Sequence, residues 1–282
     1  MSVIAAIQMN SGADVGANLD AARVLLREAA ADGARLAVLP ENFAFMGAHE
    51  RDKLAHAETD GRGPIQDAIA ELARELDLWI VAGTLPIAAP DGDDGRGRVH
   101  ASCCVYDSDG ARVARYDKIH LFDIDVPGSG ERYRESASIA AGPVHPVVVD
   151  TPVGRVGLSV CYDLRFPELY RALVDAGAEV LVVPAAFTAK TGAAHWHLLL
   201  RARAVENLCY VVAPGQCGAH PGGRATYGHS LIVEPWGTVL SQRPEQAGVV
   251  LASRDAARQA ELRQGFPALS HRRLQTLYPS AS

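Results

Sequence analysis

Residues 154–187, GRVGLSVCYDLRFPELYRALVDAGAEVLVVPAAF, hold the pattern that decides the fold. The apolar run GRVGLSV stops at Cys161 and gives way to the helical pattern FPELYRALVDAGA, which leads into a second apolar run, EVLVVPAAF. Runs as continuous as VLVVPAA imply strands of a sheet covered on both faces. The same alternation extends outward in both directions. VIAAIQM precedes the helical pattern NLDAARVLLREAAADGA, where Asn18 is the expected cap and Leu19, Ala22, Leu26 and Ala29 share a face. RLAVLP, the helix PIQDAIAELARELD with Pro64 in its first turn, and WIVAGTLP follow. The turn residues DSDG (107–110) predict a hairpin within VHASCCVYDSDGARVARYDK, and HPVVVDTPVGRVGLSV reads as another. After the central stretch come the helix HWHLLLRARAVENL and the strands CYVVAPGQ, HSLIVEPWGTVL and GVVLASRD. Two strand–helix series separated by hairpins make a mixed α/β layered fold the expected class.

The 282 residues suffice for a large core, and the composition, 48% hydrophobic and 21% charged, is that of a globular chain. A formal charge of −6 without a run of Lys or Arg argues against nucleic-acid or anionic-membrane partners. The start, MSVIAAIQMN, lacks the basic segment of a signal peptide, and no apolar run approaches the roughly 20 residues of a membrane span. Five cysteines (103, 104, 161, 209, 217), an odd set without C-x-x-C spacing, fit a reduced, cytoplasmic setting better than a disulfide framework. The segment 122–145, with Pro127, Gly128, Gly130, Gly142 and Pro143, shows no periodicity; a connection of that length is usually functional or mobile.

Three reactive residues stand where an apolar run ends: Glu41 after RLAVLP, Lys118 after ARVARYD and Cys161 after GRVGLSV. Open α/β sheets place ligand crevices at the carboxyl ends of strands. Lysine is scarce here, only Lys53, Lys118 and Lys190 among 27 basic residues, so a lysine hints at a required compact ammonium. A free thiol has a pKa of about 8.5 and needs activation near neutrality. A carboxylate at 41 could take its proton, and Lys118 with the backbone N–H of Tyr162 could hold the oxyanion formed when sulfur attacks a carbonyl. The competing reading of Cys161 is a small buried hydrophobe. Other chemistries have less support. His195 and His197 of HWH fall about 200° apart on a helix and have no evident third ligand, so no metal is expected. The glycines at 215, 218, 222 and 223 do not follow the strand–GxGxxG–helix arrangement, and no other cofactor is expected.

LPEN (39–42), YDKIHLFDIDVPG (116–128), CYDLRFPEL (161–169), TGAAHWHLLLRARAVEN (191–207) and YGHSLIVEPWGTV (227–239) together resemble the nitrilase, or carbon–nitrogen hydrolase, superfamily over nearly the whole chain. The resemblance implies a four-layer αββα sandwich and one domain over residues 1–282. It also implies a homodimer, with the helix and tail at 255–282 in its contacts. It places Glu41 as general base, Lys118 as acid or oxyanion partner and Cys161 as nucleophile. Glu135 is the match for the family's supporting glutamate, with Glu131 the weaker one. The segments TGAAHW, RFPEL, GQCGAH and RATYGHS resemble the small-amidase branch. They imply hydrolysis of deaminated glutathione to 2-oxoglutarate and cysteinylglycine, with 2-oxoglutaramate or another small amide as the alternative substrate. The different-class alternative is a non-catalytic binding protein that retains the fold. A substrate bearing carboxylates at both ends requires cations, for which Arg165, Arg224 and His220 are the candidates. The Pro221-Gly222-Gly223 run departs from the family pattern.

Overall fold

A computed structural model of the chain describes residues 1–89, 97–126, 130 and 132–274. The strands of its amino-terminal half are β1 (Ser2–Gln8), β2 (Ala34–Val38), β3 (Trp79–Ala88), β4 (Val99–Tyr106) and β5 (Arg112–Asp117), followed by the short pair β6 (Asp123–Asp125) and β7 (Arg132–Arg134). Its carboxyl-terminal half contributes β8 (Val148–Thr151), β9 (Gly154–Leu158), β10 (Val180–Val182), β11 (Tyr210–Ala213), β12 (Cys217–Ala219), β13 (Ala225–Tyr227), β14 (Ser230–Val233), β15 (Val239–Arg243) and β16 (Gly248–Arg254). The helices are α1 (Val15–Ala31), α2 (Pro64–Glu75), α3 (Pro167–Asp175), α4 (Ala189–Asn207) and α5 (Ala256–Gly265). Two six-stranded sheets result, ordered β16-β1-β2-β3-β4-β5 and β15-β14-β11-β10-β9-β8.

Side chains alternate across each sheet, so each strand feeds two apolar layers. Ile4, Ala6, Leu36, Val38, Val81 and Val105 of the first sheet share one core with Val156, Leu158, Val180, Val182, Val211 and Val233 of the second. Their sequence neighbours Ala5, Ile7, Ala37, Ile80, Ala82 and Cys104 point the other way, onto Leu26 of α1 and Ile65, Ile69 and Leu72 of α2. On the far side, Leu169 and Leu173 of α3 and Trp196, Leu200 and Ala204 of α4 cover the second sheet. The layers are therefore αββα, and burial on both faces is why the strands read as unbroken apolar runs.

Two local expectations change. Helix α1 starts a turn earlier than predicted, because Asp14 takes the cap and accepts from Ala17 N at 3.0 Å. Asn18 lies inside the helix and donates from its amide to the carbonyls of Gly12 and Ala44 (2.8 and 2.9 Å), tying the loop before α1 to the loop after β2. The 122–145 segment is not structureless, since β6 and β7 pair antiparallel within it, Asp123 opposite Arg134. Pro127, Gly128 and Glu131 lie outside the described residues, as does the tail beyond residue 274.

The topology brings the three reactive residues together. β2 runs parallel to β3, and β5 is antiparallel to β4, itself antiparallel to β3, so β2 and β5 end at the same edge of the first sheet. Glu41 and Lys118 follow those two ends. Cys161 follows β9, which runs parallel to β10 in the second sheet. Gly83, inside β3, permits the approach behind Glu41, since a β-carbon there would collide with the carbonyl oxygen of Pro40.

Candidate active site

Cys161 opens a short 3-10 turn, Cys161–Arg165, in the left-handed region with φ 48°. Such a backbone is uncommon for a non-glycine residue and costs on the order of 1–3 kcal/mol, so its surroundings must hold it. Cys161 N–H donates to the carbonyl of Pro184 at 2.9 Å. Oδ2 of the fully buried Asp163 accepts from both Val160 N (2.8 Å) and Tyr116 Oη (2.7 Å). Its Oδ1 lies 2.7 Å from His120 Nδ1 and accepts from His120 N at 3.3 Å. One carboxylate thus joins the corner carrying Cys161 to the residues on either side of Lys118. Tyr162 supplies the second amide of the turn, a position with no intrahelical acceptor.

Lys118 Nζ donates to Glu41 Oε1 at 2.8 Å and lies 2.9 and 2.8 Å from the two oxygens of Glu135. An ammonium has three protons, and two carboxylates leave one for a third acceptor. Glu41 Oε2 accepts from Ala186 N at 2.9 Å, while Glu135 Oε2 accepts from Phe122 N at 2.7 Å. Cys161 lines the same cavity as Glu41 and Ala186. Burial penalises the charge on Glu41, but the Lys118 ammonium and hydrogen bonds from Lys118 and Cys161 outweigh it and hold the carboxyl below its usual range. Burial likewise opposes the charge on Lys118, and the attraction of Glu135 and Glu41 reverses this, raising its pKa well above the ordinary lysine value. Burial and then the Glu41 charge push the Cys161 thiol well up, with Lys118 opposing. The resting site therefore holds a neutral thiol beside a carboxylate already ionised and an ammonium already charged. It can move a proton from sulfur to carboxylate when an electrophile arrives.

These groups line one cavity together with Phe122, Tyr133, Tyr162, Phe187, Thr188, Thr191, Glu50, Lys53 and Arg224. Ring contacts of 5.0–5.1 Å run from Tyr162 through Phe122 to Tyr133, giving one wall an aromatic lining. The structure brings Glu41, Lys118, Glu135, Cys161, Tyr162 and Arg224 to this cavity. It does not bring Arg165 or His220 into the lining. The Arg165 guanidinium lies 5.3 Å from the Phe187 ring centroid and 6.0 Å from that of Tyr162, and its Nη1 is 3.2 Å from His195 Nδ1. His220 is buried with both nitrogens engaged, Nδ1 on the Ser11 carbonyl (2.9 Å) and Nε2 on Thr226 Oγ1 (2.7 Å), fastening the ribbon of β12 and β13. Among the described residues no three His, Cys, Asp or Glu side chains gather to hold a metal ion, and no helix is long and apolar enough to cross a membrane.

Asp163, Glu50 and Lys53 are not evident as site residues from sequence pattern alone. Asp163 stood beside the cysteine as one more acidic residue, and only the fold supplies its partners on β5. Lys53 carried the signal that singled out Lys118, a lysine in an arginine-rich chain. Its stretch, HERDKLAH, has no periodicity to place it.

The sequence pattern described as carbon-nitrogen hydrolase matches residues 3–264. A Synechocystis protein named deaminated glutathione amidase is 43% identical over 95% of this chain and 97% of its own. The crystal structure of the C. elegans NitFhit protein superposes with a TM-score of 0.88 at 41% identity, over 96% of this chain and 65% of that one. An amidase from Nesterenkonia sp. AN1, crystallised with acrylamide added to its active-site cysteine, superposes with a TM-score of 0.76 at 28% identity, over 94% of this chain and 100% of that one. A pattern matched from the first strand to the last helix, and a relative sharing this identity end to end, make the chain a member of the carbon-nitrogen hydrolase family.

Proposed function

We propose that this chain is a cysteine-dependent amidase that hydrolyses the amide bond of deaminated glutathione, giving 2-oxoglutarate and cysteinylglycine. The observation that carries the reading is the buried Glu41–Lys118–Glu135 cluster beside Cys161, in a cavity that Lys53 and Arg224 also line. The relatives' name adds support for this substrate.

The reaction follows from the charges at rest. Sγ of Cys161 attacks the amide carbonyl carbon as Glu41 takes the thiol proton. Because the thiol is held neutral, no standing thiolate is required, and the transfer is drawn forward by the new C–S bond. The carbonyl oxygen becomes an oxyanion held by the remaining Lys118 proton and the Tyr162 amide; losing one such donor typically costs roughly 100- to 1,000-fold in rate. Glu41 returns the proton to the departing amine as the C–N bond breaks, leaving a thioester on sulfur. A water then attacks the thioester with Glu41 again as base, and sulfur leaves as the thiol with the proton restored. Glu135 keeps Lys118 charged and aimed throughout. Arg224 is the cavity cation offered to a substrate carboxylate.

The test is kcat/KM on deaminated glutathione and on 2-oxoglutaramate, side by side, with Cys161→Ala as the blank. Preference for the larger ketoamide, and none of this turnover in the blank, is expected. A large preference for 2-oxoglutaramate would replace the substrate assignment. Binding of both without turnover would leave a binding protein. The same reading makes the chain one domain and a cytoplasmic homodimer. Five free cysteines support a reducing compartment, and the exposed Trp236, in edge contact with Phe266 just after α5, supports an interface there.

A further inference from the structure

We infer that Lys53, Arg224 and Glu50 form a carboxylate subsite at the outer end of the catalytic cavity, in which Glu50 attenuates the two cations. The enzyme thereby selects amides that carry a carboxylate remote from the scissile carbonyl. This rests on the amidase reading and adds to it Lys53 as a second recognising cation and Glu50 as the group that sets their strength.

Three carboxylates and three cations line the cavity among its described residues, and their ion pairs fall into two groups. Beside Cys161, Glu41 and Glu135 both pair with Lys118, a surplus of one negative charge, although Glu41 also attracts Lys53 and Arg224 at longer range. At the outer end the ratio inverts. Glu50 alone faces Lys53, 3.5 Å away, and Arg224, which it hydrogen-bonds. Burial opposes the charge on Glu50, but Lys53 and Arg224 hold its carboxyl below the usual range, so the outer end keeps a surplus of one positive charge at neutral pH. The Lys53 and Arg224 side chains are only 14% and 26% exposed, which limits solvent screening of that surplus. The Arg224 guanidinium also sits 5.0 Å from the Tyr133 ring centroid, where it is held in place.

An anion beside Cys161 would be repelled by Glu41 and Glu135, whereas a neutral amide would not. A carboxylate several bonds away would meet Lys53 and Arg224. The polarity therefore orients a carboxylate-bearing amide with its neutral end inward. It also favours release, because hydrolysis creates a new carboxylate beside Glu41 and Glu135. A second, open hollow shares Glu50, Tyr133 and Arg224 with the cavity and adds His49, Arg132, Gly222 and Gly223, so a bulky leaving group can extend beyond the cations. The Pro221-Gly222-Gly223 run makes this possible. Gly222 has φ 76°, and a β-carbon there would collide with the Ala48 carbonyl, so glycine lets the β12–β13 tip close on the 48–50 loop and bring Arg224 to Glu50.

The test measures how well glutaramate, an amide with a remote carboxylate, slows the initial alkylation of Cys161 by iodoacetamide, with neutral butyramide as control. Lys53→Met and Arg224→Gln are each expected to raise the half-protecting glutaramate concentration roughly five-fold or more. Glu50→Gln is expected to lower it several-fold, a gain that misfolding cannot produce, and butyramide protection is expected to stay within two-fold throughout. Glutaramate protection that is unchanged in all three variants, or butyramide shifts as large as those of glutaramate, would overturn the subsite. If the variants show this pattern but the wild type does not hydrolyse deaminated glutathione, the subsite stands and the substrate reading falls. KM for deaminated glutathione and for its glycinamide then identifies the carboxylate. A rise in Lys53→Met for the former alone assigns the glycine end, a shared rise assigns the keto-acid end, and a rise in neither contradicts the proposal.

Discussion

Nζ of Lys118 lies 2.8 Å from Oε1 of Glu41, across 77 residues of sequence, with both side chains almost sealed from solvent. The pair exists because β2 and β5 end at the same sheet edge, and Glu135 closes it from the other side. A buried cation between two carboxylates is a strong constraint, since removing it leaves two like charges without compensation.

Lys118→Met is accordingly expected to lose about 3–5 kcal/mol of stability near neutral pH. The pH dependence has a definite sign. In the wild type the Glu41 pKa is lowered, so its contribution to stability is present above the unfolded carboxylate value and is lost as pH falls through the folded one. Without the ammonium, burial and Glu135 raise that pKa above the unfolded value, and the charged form becomes the destabilising one. Urea titrations should show the gap between the two proteins widest near pH 7 and narrowing towards about pH 4. A pH-independent gap would contradict this assignment of charges.

Glu41→Gln separates proton transfer from thiol reactivity. The Glu41 charge is the main electrostatic cause holding the Cys161 thiol up after burial, while Lys118 opposes it. Neutralising it lowers the thiol pKa, so iodoacetamide alkylation at pH 8 should quicken several-fold while amide hydrolysis falls by roughly 100- to 10,000-fold. Slower alkylation would show that Glu41 activates the thiol even at rest.

Backbone space behind the site is equally specific. A methyl at Gly83 meets the Pro40 carbonyl, and one at Gly142 meets the carbonyl of Asp117, so they would displace the backbone next to Glu41 and Lys118 respectively. Gly83→Ala and Gly142→Ala should each cost about 1–3 kcal/mol by overpacking. A displacement of about 1 Å can lower kcat roughly 100-fold. Gly12→Ala, with open space around the added carbon, serves as the unaffected control in thermal melts and kinetics.

Asp163 acts through others. Tyr116→Phe deletes one of its donors and keeps the shape of the side chain. The expected result is a kcat lowered about ten-fold at nearly unchanged KM, because a misplaced nucleophile weakens the transition state rather than ground-state binding. An unchanged kcat in the folded variant would reduce Asp163 to a packing role.

The layered α/β class and the convergence of residues 41, 118 and 161 were legible because each strand is apolar on both faces and stops abruptly at a polar residue. Helix α1 was misjudged at its start because Asn18 is a good cap by type, but its amide is used to join two loops. Arg165 and His220 were plausible cations by composition. Their positions depend on partners far away in sequence, Phe187 for one and Ser11 for the other. Glu50 and Lys53 sit in a non-periodic stretch, where no pattern says which way a side chain faces. Local rules name the elements and the reactive residues; which polar groups share a cavity depends on contacts that no local pattern encodes.

The central claim is that Cys161 carries the acyl group between amide cleavage and hydrolysis. Intact-mass and peptide-mapping spectrometry of enzyme quenched during turnover of deaminated glutathione tests it directly. A 2-oxoglutaryl increment is expected on the peptide containing Cys161, absent in Cys161→Ala. Steady hydrolysis by the Cys161→Ala protein, or an acyl group mapped to another residue, would contradict it.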